Sequence, residues 1–199
     1  MMSVRTSRLL LALGAFVAGL VLFSAVIFIV TGRSPTPIAM PSAVGGPFQL
    51  VDQNAKPITD QDMKGQPFLV FFGFTHCPDV CPTTLFEVSE IFRALGPDAK
   101  NMRALFVTVD PERDTPTVLK DYLASFDPQI IGVTGDEAAI TAAEKAYRVY
   151  AKKVPIEGGS YTMDHTAIVY LMNKDGRFVA PFNMKRRPEE AAADLKRYL

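Results

Sequence analysis

A continuous apolar run at residues 67–74, bounded by Gly65 and broken off at Thr75-His76-Cys77-Pro78, reads as a buried strand. A helical pattern follows over residues 83–95 and meets the stop signal Gly96-Pro97, while Pro82 suits a first helical position, where its missing N–H costs nothing. Both cysteines of the chain, Cys77 and Cys81, therefore fall on one strand-to-helix turn. Cys81 is placed at a helix N-terminus, where the positive end of the helix dipole stabilises a thiolate and lowers a thiol pKa. Pro78 pushes Cys77 out of the α region. A regular helical turn holds Cβ atoms about 5–6 Å apart, too far for the roughly 3.5–4.5 Å of a disulfide, whereas a proline-bent turn can close further. Two outcomes stay open: a disulfide, or a pair of thiolates gripping an ion.

The rest of the chain alternates strands with helices. Residues 48–51 read as a short strand, 60–65 as a turn and 102–109 as a second buried strand. Thr115 is an N-cap and Pro116 a first residue for a helix over 117–126; a strand at 129–133 and an Ala-rich amphipathic helix at 136–150 follow. After a loop containing Gly158-Gly159, residues 166–172 and 177–182 form a hairpin across Asn173-Lys-Asp-Gly176, and Pro188 opens a helix reaching the C-terminus. This order predicts an α/β fold, a mixed central sheet with flanking helices. A cysteine pair on the first central strand-to-helix turn makes it a thioredoxin-like fold.

Ahead of this domain, residues 9–30 are 22 residues with no charge and one hydroxyl, Ser24. As a helix they span about 33 Å, enough for a hydrocarbon core of about 30 Å. With Arg5 and Arg8 before the run, the positive-inside rule places the N-terminus in the cytoplasm and everything after Arg33 outside. The expected organisation is a cytoplasmic N-terminus at 1–8 and a transmembrane signal anchor at 9–31. A Pro/Gly-rich tether at 32–47 and a thioredoxin-like domain at 48–199 complete it. A bacterial inner membrane with the domain on the periplasmic, extracytoplasmic side is the expected location. Basic and acidic residues balance at 21 each, and after Arg33 the count is 18 against 21, which gives no electrostatic footprint for nucleic acid.

Outside the cytoplasm disulfides persist, but one closing so small a loop stabilises little. Cys77 and Cys81 are better read as a redox-active or metal-binding pair. The chain has two histidines. Strand alternation points His76 away from Cys77, as a structural residue or one that supports the site from behind its ligands. His165, in Tyr161-Thr-Met-Asp-His-Thr166, is expected in a loop leading into the closing hairpin, beside the cysteine turn. Two sulfurs and one imidazole make a soft, low-coordinate site that suits copper, and there is no third cysteine for a four-ligand zinc site. Asp79, Met163 and Asp164 are candidates for a weak fourth ligand or a partner orienting His165. Asp110-Pro-Glu-Arg-Asp-Thr-Pro116 is most simply a turn and helix cap, at the strand edge where α/β proteins also place sites. Lys185-Arg186-Arg187 reads as a solvated surface cluster.

Phe72-Gly-Phe-Thr-His-Cys-Pro-Asp-Val-Cys-Pro82, Asp110-Pro-Glu-Arg-Asp-Thr-Pro116, Ala146-Tyr-Arg-Val-Tyr150 and Asp164-His-Thr166 together resemble the Sco/SenC family of copper-binding proteins, over residues 48–199. The resemblance implies that Cys77, Cys81 and His165 bind copper as Cu(I) or Cu(II). It also implies a metallochaperone for the CuA centre of cytochrome c oxidase subunit II, acting by copper donation, by reduction of that centre's cysteines, or both. Other periplasmic copper carriers or thiol reductants are further partners it suggests. A membrane-anchored thiol-disulfide oxidoreductase is the alternative, although ordinary thioredoxins place two residues between their cysteines. A thiol peroxidase is third: Val80-Cys-Pro-Thr-Thr84 looks like the peroxiredoxin nucleophile turn, but Pro78 stands where that family has a threonine.

Overall fold

The computed structural model describes residues 14–25 and 44–199, and the chain divides into two units between Met40 and Pro41. Residues 14–25 are helical and carry no charge, while most of the expected anchor and tether lies outside the described residues. No helix among the described residues is long and apolar enough to cross a membrane.

The second unit is built on a seven-stranded mixed sheet in the order β2-β1-β5-β4-β3-β8-β9. The strands are β1 (Gln49–Asp52), β2 (Pro57–Thr59), β3 (Phe68–Gly73), β4 (Arg103–Thr108), β5 (Ile130–Thr134), β8 (Val169–Met172) and β9 (Phe178–Pro181). Strands β6 (Ala151–Pro155) and β7 (Tyr161–His165) form a separate antiparallel pair. The helices are α1 (Val80–Leu95), α2 (Pro116–Leu123), α3 (Glu137–Tyr147) and α4 (Pro188–Leu195).

Strand β3 is central and every one of its residues is buried, which is why its sequence is a continuous apolar run without alternation. It runs parallel to β4 and antiparallel to β8, so hydrogen bonds hold both its edges. Its two faces are covered by different helices. Phe71 and Phe106 pair on one face, where Phe106 lies 5.9 Å from Tyr122 of α2. Phe72 points the other way and meets Tyr147 of α3 at 5.4 Å. The α/β sandwich and the mixed sheet are thus as predicted, including the closing β8–β9 hairpin with Gly176 at φ 74° in its turn.

Several elements differ from expectation. Helix α1 begins at Val80, so Pro82 is its third residue; that position also lies in the first turn, where an amide hydrogen has no helical acceptor. Helix α2 ends at Leu123, three residues early. Helix α3 ends at Tyr147 because Arg148 turns left-handed (φ 57°) and donates its N–H back to the Glu144 and Lys145 carbonyls. That reversal frees residues 151–155 to form β6. The loop expected around Gly158-Gly159 is therefore the turn of a second hairpin, with both glycines at positive φ. His165 accordingly ends strand β7 instead of lying in an irregular loop.

Candidate functional site

The site forms where β3 runs out. Gly73 is its last residue and Cys81 the second residue of α1; a Cβ on Gly73 would stand 2.8 Å from the Cys81 sulfur and 2.6 Å from the Phe106 ring. Only glycine lets that sulfur seat against the sheet, and Cys81 is 0% exposed. Cys77 is half-buried, and both cysteines are free thiols.

The helix N-terminus acts on a different sulfur from the one expected. Cys81's own backbone N–H donates to Cys77 Sγ at 3.3 Å, so the first turn of α1 supports Cys77. Burial pushes the Cys81 thiol pKa up strongly, only partly offset by a hydrogen bond from the Phe74 backbone. For Cys81 the cost of placing charge away from water outweighs the dipole.

His165 approaches from β7. Its Nε2 lies 3.8 Å from Cys81 Sγ, and one ligand atom from each of Cys77, Cys81 and His165 falls within 4.8 Å of the others. A three-coordinate ion with a metal–sulfur bond of about 2.3 Å and a metal–nitrogen bond of about 2.0 Å sets sulfur and nitrogen about 3.7 Å apart. The spacing between Cys81 and His165 already matches that figure. The ring packs edge-on against Phe74, with centroids 5.7 Å apart at 89°, and nearer solvent than Cys81. Its Nδ1 lies 3.2 Å from the Thr166 carbonyl oxygen, so Nδ1–H donates there and Nε2 keeps its lone pair toward the sulfurs. Burial holds the imidazole pKa below its ordinary value, favouring the neutral ring a metal needs.

The orienting partner is thus a backbone carbonyl. Asp79 and Asp164 are both exposed, and neither joins the close group of ligand atoms. Met163 is buried two residues before His165 on the same strand. His76 is exposed, with Nδ1 3.1 Å from Thr75 Oγ1, as expected of a residue outside the site. Lys185, Arg186 and Arg187 are exposed too.

Residues 110–116 do more than turn and cap. Thr115 does cap α2, accepting from Val118 N–H at 3.3 Å. But Asp110 and Asp114 are each 0% exposed. The Asp114 carboxylate accepts from Thr75 N–H (3.0 Å), the Thr75 hydroxyl (2.6 Å) and the Thr108 hydroxyl (2.6 Å), tying the residue two before Cys77 to strand β4. Asp110 accepts from Arg113 Nε and from the Tyr161 hydroxyl at 2.9 Å. Arg113 also donates from Nη1 to the Tyr161 carbonyl at 3.0 Å. Two carboxylates flanking an arginine ahead of a helix start was the available sign, but the sequence could not show which groups they meet.

Against known proteins, residues 37–199 match the family described as SCO1/SenC. The chain belongs to the SCO1/SenC family. Among SCO1/SenC relatives, a SCO2-like protein of Rickettsia felis is 37% identical over 155 residues, covering 77% of this chain and 76% of that protein. The mitochondrial protein SCO1 homolog of Mus musculus is 40% identical over 159 residues, covering 78% of this chain but only 56% of the mouse protein. A solved structure of Bradyrhizobium japonicum ScoI with copper bound superposes with a TM-score of 0.77 at 65% identity, covering 78% of this chain and 99% of that one.

Proposed function

We propose that this chain is a copper carrier that takes the ion between Cys77, Cys81 and His165 and serves assembly of the CuA centre of cytochrome c oxidase subunit II. The observation that carries this reading is the convergence of three soft ligand atoms, from a helix start and a strand end 84 residues apart, within 4.8 Å. The copper-bound relative at 65% identity supports the choice of ion. Two thiolates and an imidazole can hold Cu(I) or Cu(II), and an open, low-coordinate site releases its ion by ligand exchange. A charge-free stretch with two arginines before it and one after it supports a single-pass anchor, with the N-terminus cytoplasmic and the domain outside a bacterial inner membrane. A tether behind it would keep the carrier near a membrane-bound acceptor.

Copper titration of the reduced full-length protein tests this. One ion per chain is expected, with a thiolate-to-copper charge-transfer band for Cu(II), and His165→Ala is expected to weaken binding markedly. Unchanged affinity in that variant would remove the imidazole from the site. Because burial keeps the Cys81 thiol protonated near neutrality, loading must expel its proton. Apparent affinity is then expected to rise with pH, by up to about tenfold per unit for each proton released. His165, held below its usual pKa of 6.5, adds no further proton release above that pH. Affinities at pH 6, 7 and 8 check the slope, and a flat profile would mean that Cys81 is not a ligand.

The accessibility difference between the two sulfurs favours a second reading, in which Cys77 attacks an external disulfide and Cys81 resolves the mixed disulfide, leaving an oxidised pair and a reduced substrate. Oxidation removes two ligands at once, so the two activities would exclude each other in a single molecule.

A further inference from the structure

The placement of His165 is not explained by the main sheet. Strands β6 and β7 pair with each other and with no strand of the seven-stranded sheet, and most of β6 is exposed. At the hairpin's base Tyr150 and Thr166 exchange two bonds, of 3.1 and 3.0 Å, which close the hairpin on itself. Beyond the burial of Met163 in the core, nothing in that arrangement fixes the hairpin at the distance from α1 that brings Nε2 to the sulfurs.

Three polar ties run from the hairpin to one loop of the main body: the Tyr161 hydroxyl to Asp110, Arg113 Nη1 to the Tyr161 carbonyl, and Lys153 to Glu112. Arg113 stands at their centre. Its Nε is spent on the fully buried Asp110, and its guanidinium carbon lies 3.8 Å from the Tyr161 ring centroid and 6.0 Å from that of Phe74. Phe74 is the ring against which His165 packs. Tyr161 and His165 are four residues apart on β7, hence on one face of the strand and about 13 Å from end to end. Holding Tyr161 in the fork of Arg113 therefore aims the far end of the same strand.

We propose that Arg113 is a positioning residue for His165: it locks β7 at Tyr161 so that the imidazole stands in register with Cys77 and Cys81. The planar fork is what does this, since it grips a carboxylate and a carbonyl at once while stacking on a ring, and a lysine ammonium does none of these together.

The inference rests on the copper-site reading, and a double-mutant cycle separates positioning from general stability. Arg113→Ala in the full-length protein is expected to weaken Cu(I) binding up to about tenfold, the low end of the roughly 10–100-fold cost of losing a group bonded directly to a metal ligand, because Arg113 acts on His165 through Tyr161 and Phe74. Arg113→Lys is expected to fall close to it. In a His165→Ala background, Arg113→Ala is expected to add nothing, because there is no imidazole left to aim. An equal loss in both backgrounds, or no loss in either, would overturn the proposal. Should the arginine variants fail to fold, Tyr161→Phe removes only the hydroxyl bond to Asp110; a several-fold loss that again vanishes beside His165→Ala is expected, and an undiminished one counts against the idea. The metal-free protein supplies an independent arm: the nuclear Overhauser contact between the His165 and Phe74 rings should be present in the wild type and lost in Arg113→Ala, or weakened in Tyr161→Phe. Its persistence in those variants overturns positioning. Wild-type protein with no copper binding would sink the functional reading alone, leaving this arm to decide the role of Arg113.

Discussion

Cys81→Ala is expected to lose copper by more than the roughly 10–100-fold that removal of an outer partner costs, because it deletes a ligand outright. The remaining pair, Cys77 and His165, offers one thiolate and one imidazole, and a site with no water-facing side at Cys81 has no ready substitute for the missing sulfur. The fold should survive. A free buried cysteine behaves as a small hydrophobe, so the variant leaves a sulfur-sized gap costing about 1–2 kcal/mol. Competition with a Cu(I) chelator, paired with a thermal melt, measures both effects. Retention of copper within tenfold of wild type would mean that the buried sulfur does not hold the ion.

Asp114→Ala should produce the largest loss of stability among changes near the site. Its carboxylate is fully buried and accepts three hydrogen bonds, from the Thr75 amide, the Thr75 hydroxyl and the buried Thr108 hydroxyl. Removing it strands the Thr108 hydroxyl away from water, at about 1–3 kcal/mol, and takes a partner from the half-buried Thr75 amide and hydroxyl, at about 1 kcal/mol each. A total of about 3–5 kcal/mol is expected, against the 5–15 kcal/mol that a domain of this kind has in hand. At roughly 2–4 °C per kcal/mol for a chain of this size, the melting temperature should drop by about 6–20 °C. Asp114→Asn is expected to do much better. Its remaining carbonyl oxygen can take the place that serves both the Thr75 amide and the Thr108 hydroxyl, while the new amide donates to the Thr75 hydroxyl. Urea melts of the two variants separate these outcomes, and an alanine variant as stable as the asparagine one would show that the buried bonds contribute little.

Much of this protein was legible locally. An unbroken apolar run followed by proline and small residues marks a strand buried on both faces and the bend after it, because β3 has neighbours on both edges and helices on both faces. The cap at Thr115 is a bond within one helical turn and so is written in adjacent residues. What went unread was of another kind. Strand β2 is three residues long, too short to show a period. Strand β6, Ala-Lys-Lys-Val-Pro, buries almost nothing, so no alternation separates it from a loop. Its only local sign was the Gly158-Gly159 pair, whose turn closes a hairpin. The overlong reading of α3 had the same root, since a helix that ends on Arg148 in a left-handed conformation has no glycine to announce it.

Residue chemistry alone determined the ingredients of the site: two thiols at a strand-to-helix bend and a short choice of imidazoles, a soft donor set whatever the fold. Only the tertiary structure decided how they are tuned. It buried Cys81 so that desolvation overrides the helix dipole, gave the helix's free N–H to Cys77, and handed the orientation of His165 to a backbone carbonyl. It also turned an ordinary-looking capping loop into the meeting point of the cysteine turn and the histidine hairpin. Hydrogen bonds between adjacent residues can be read in order along a chain, but burial and encounters between distant residues depend on where the whole sheet brings them.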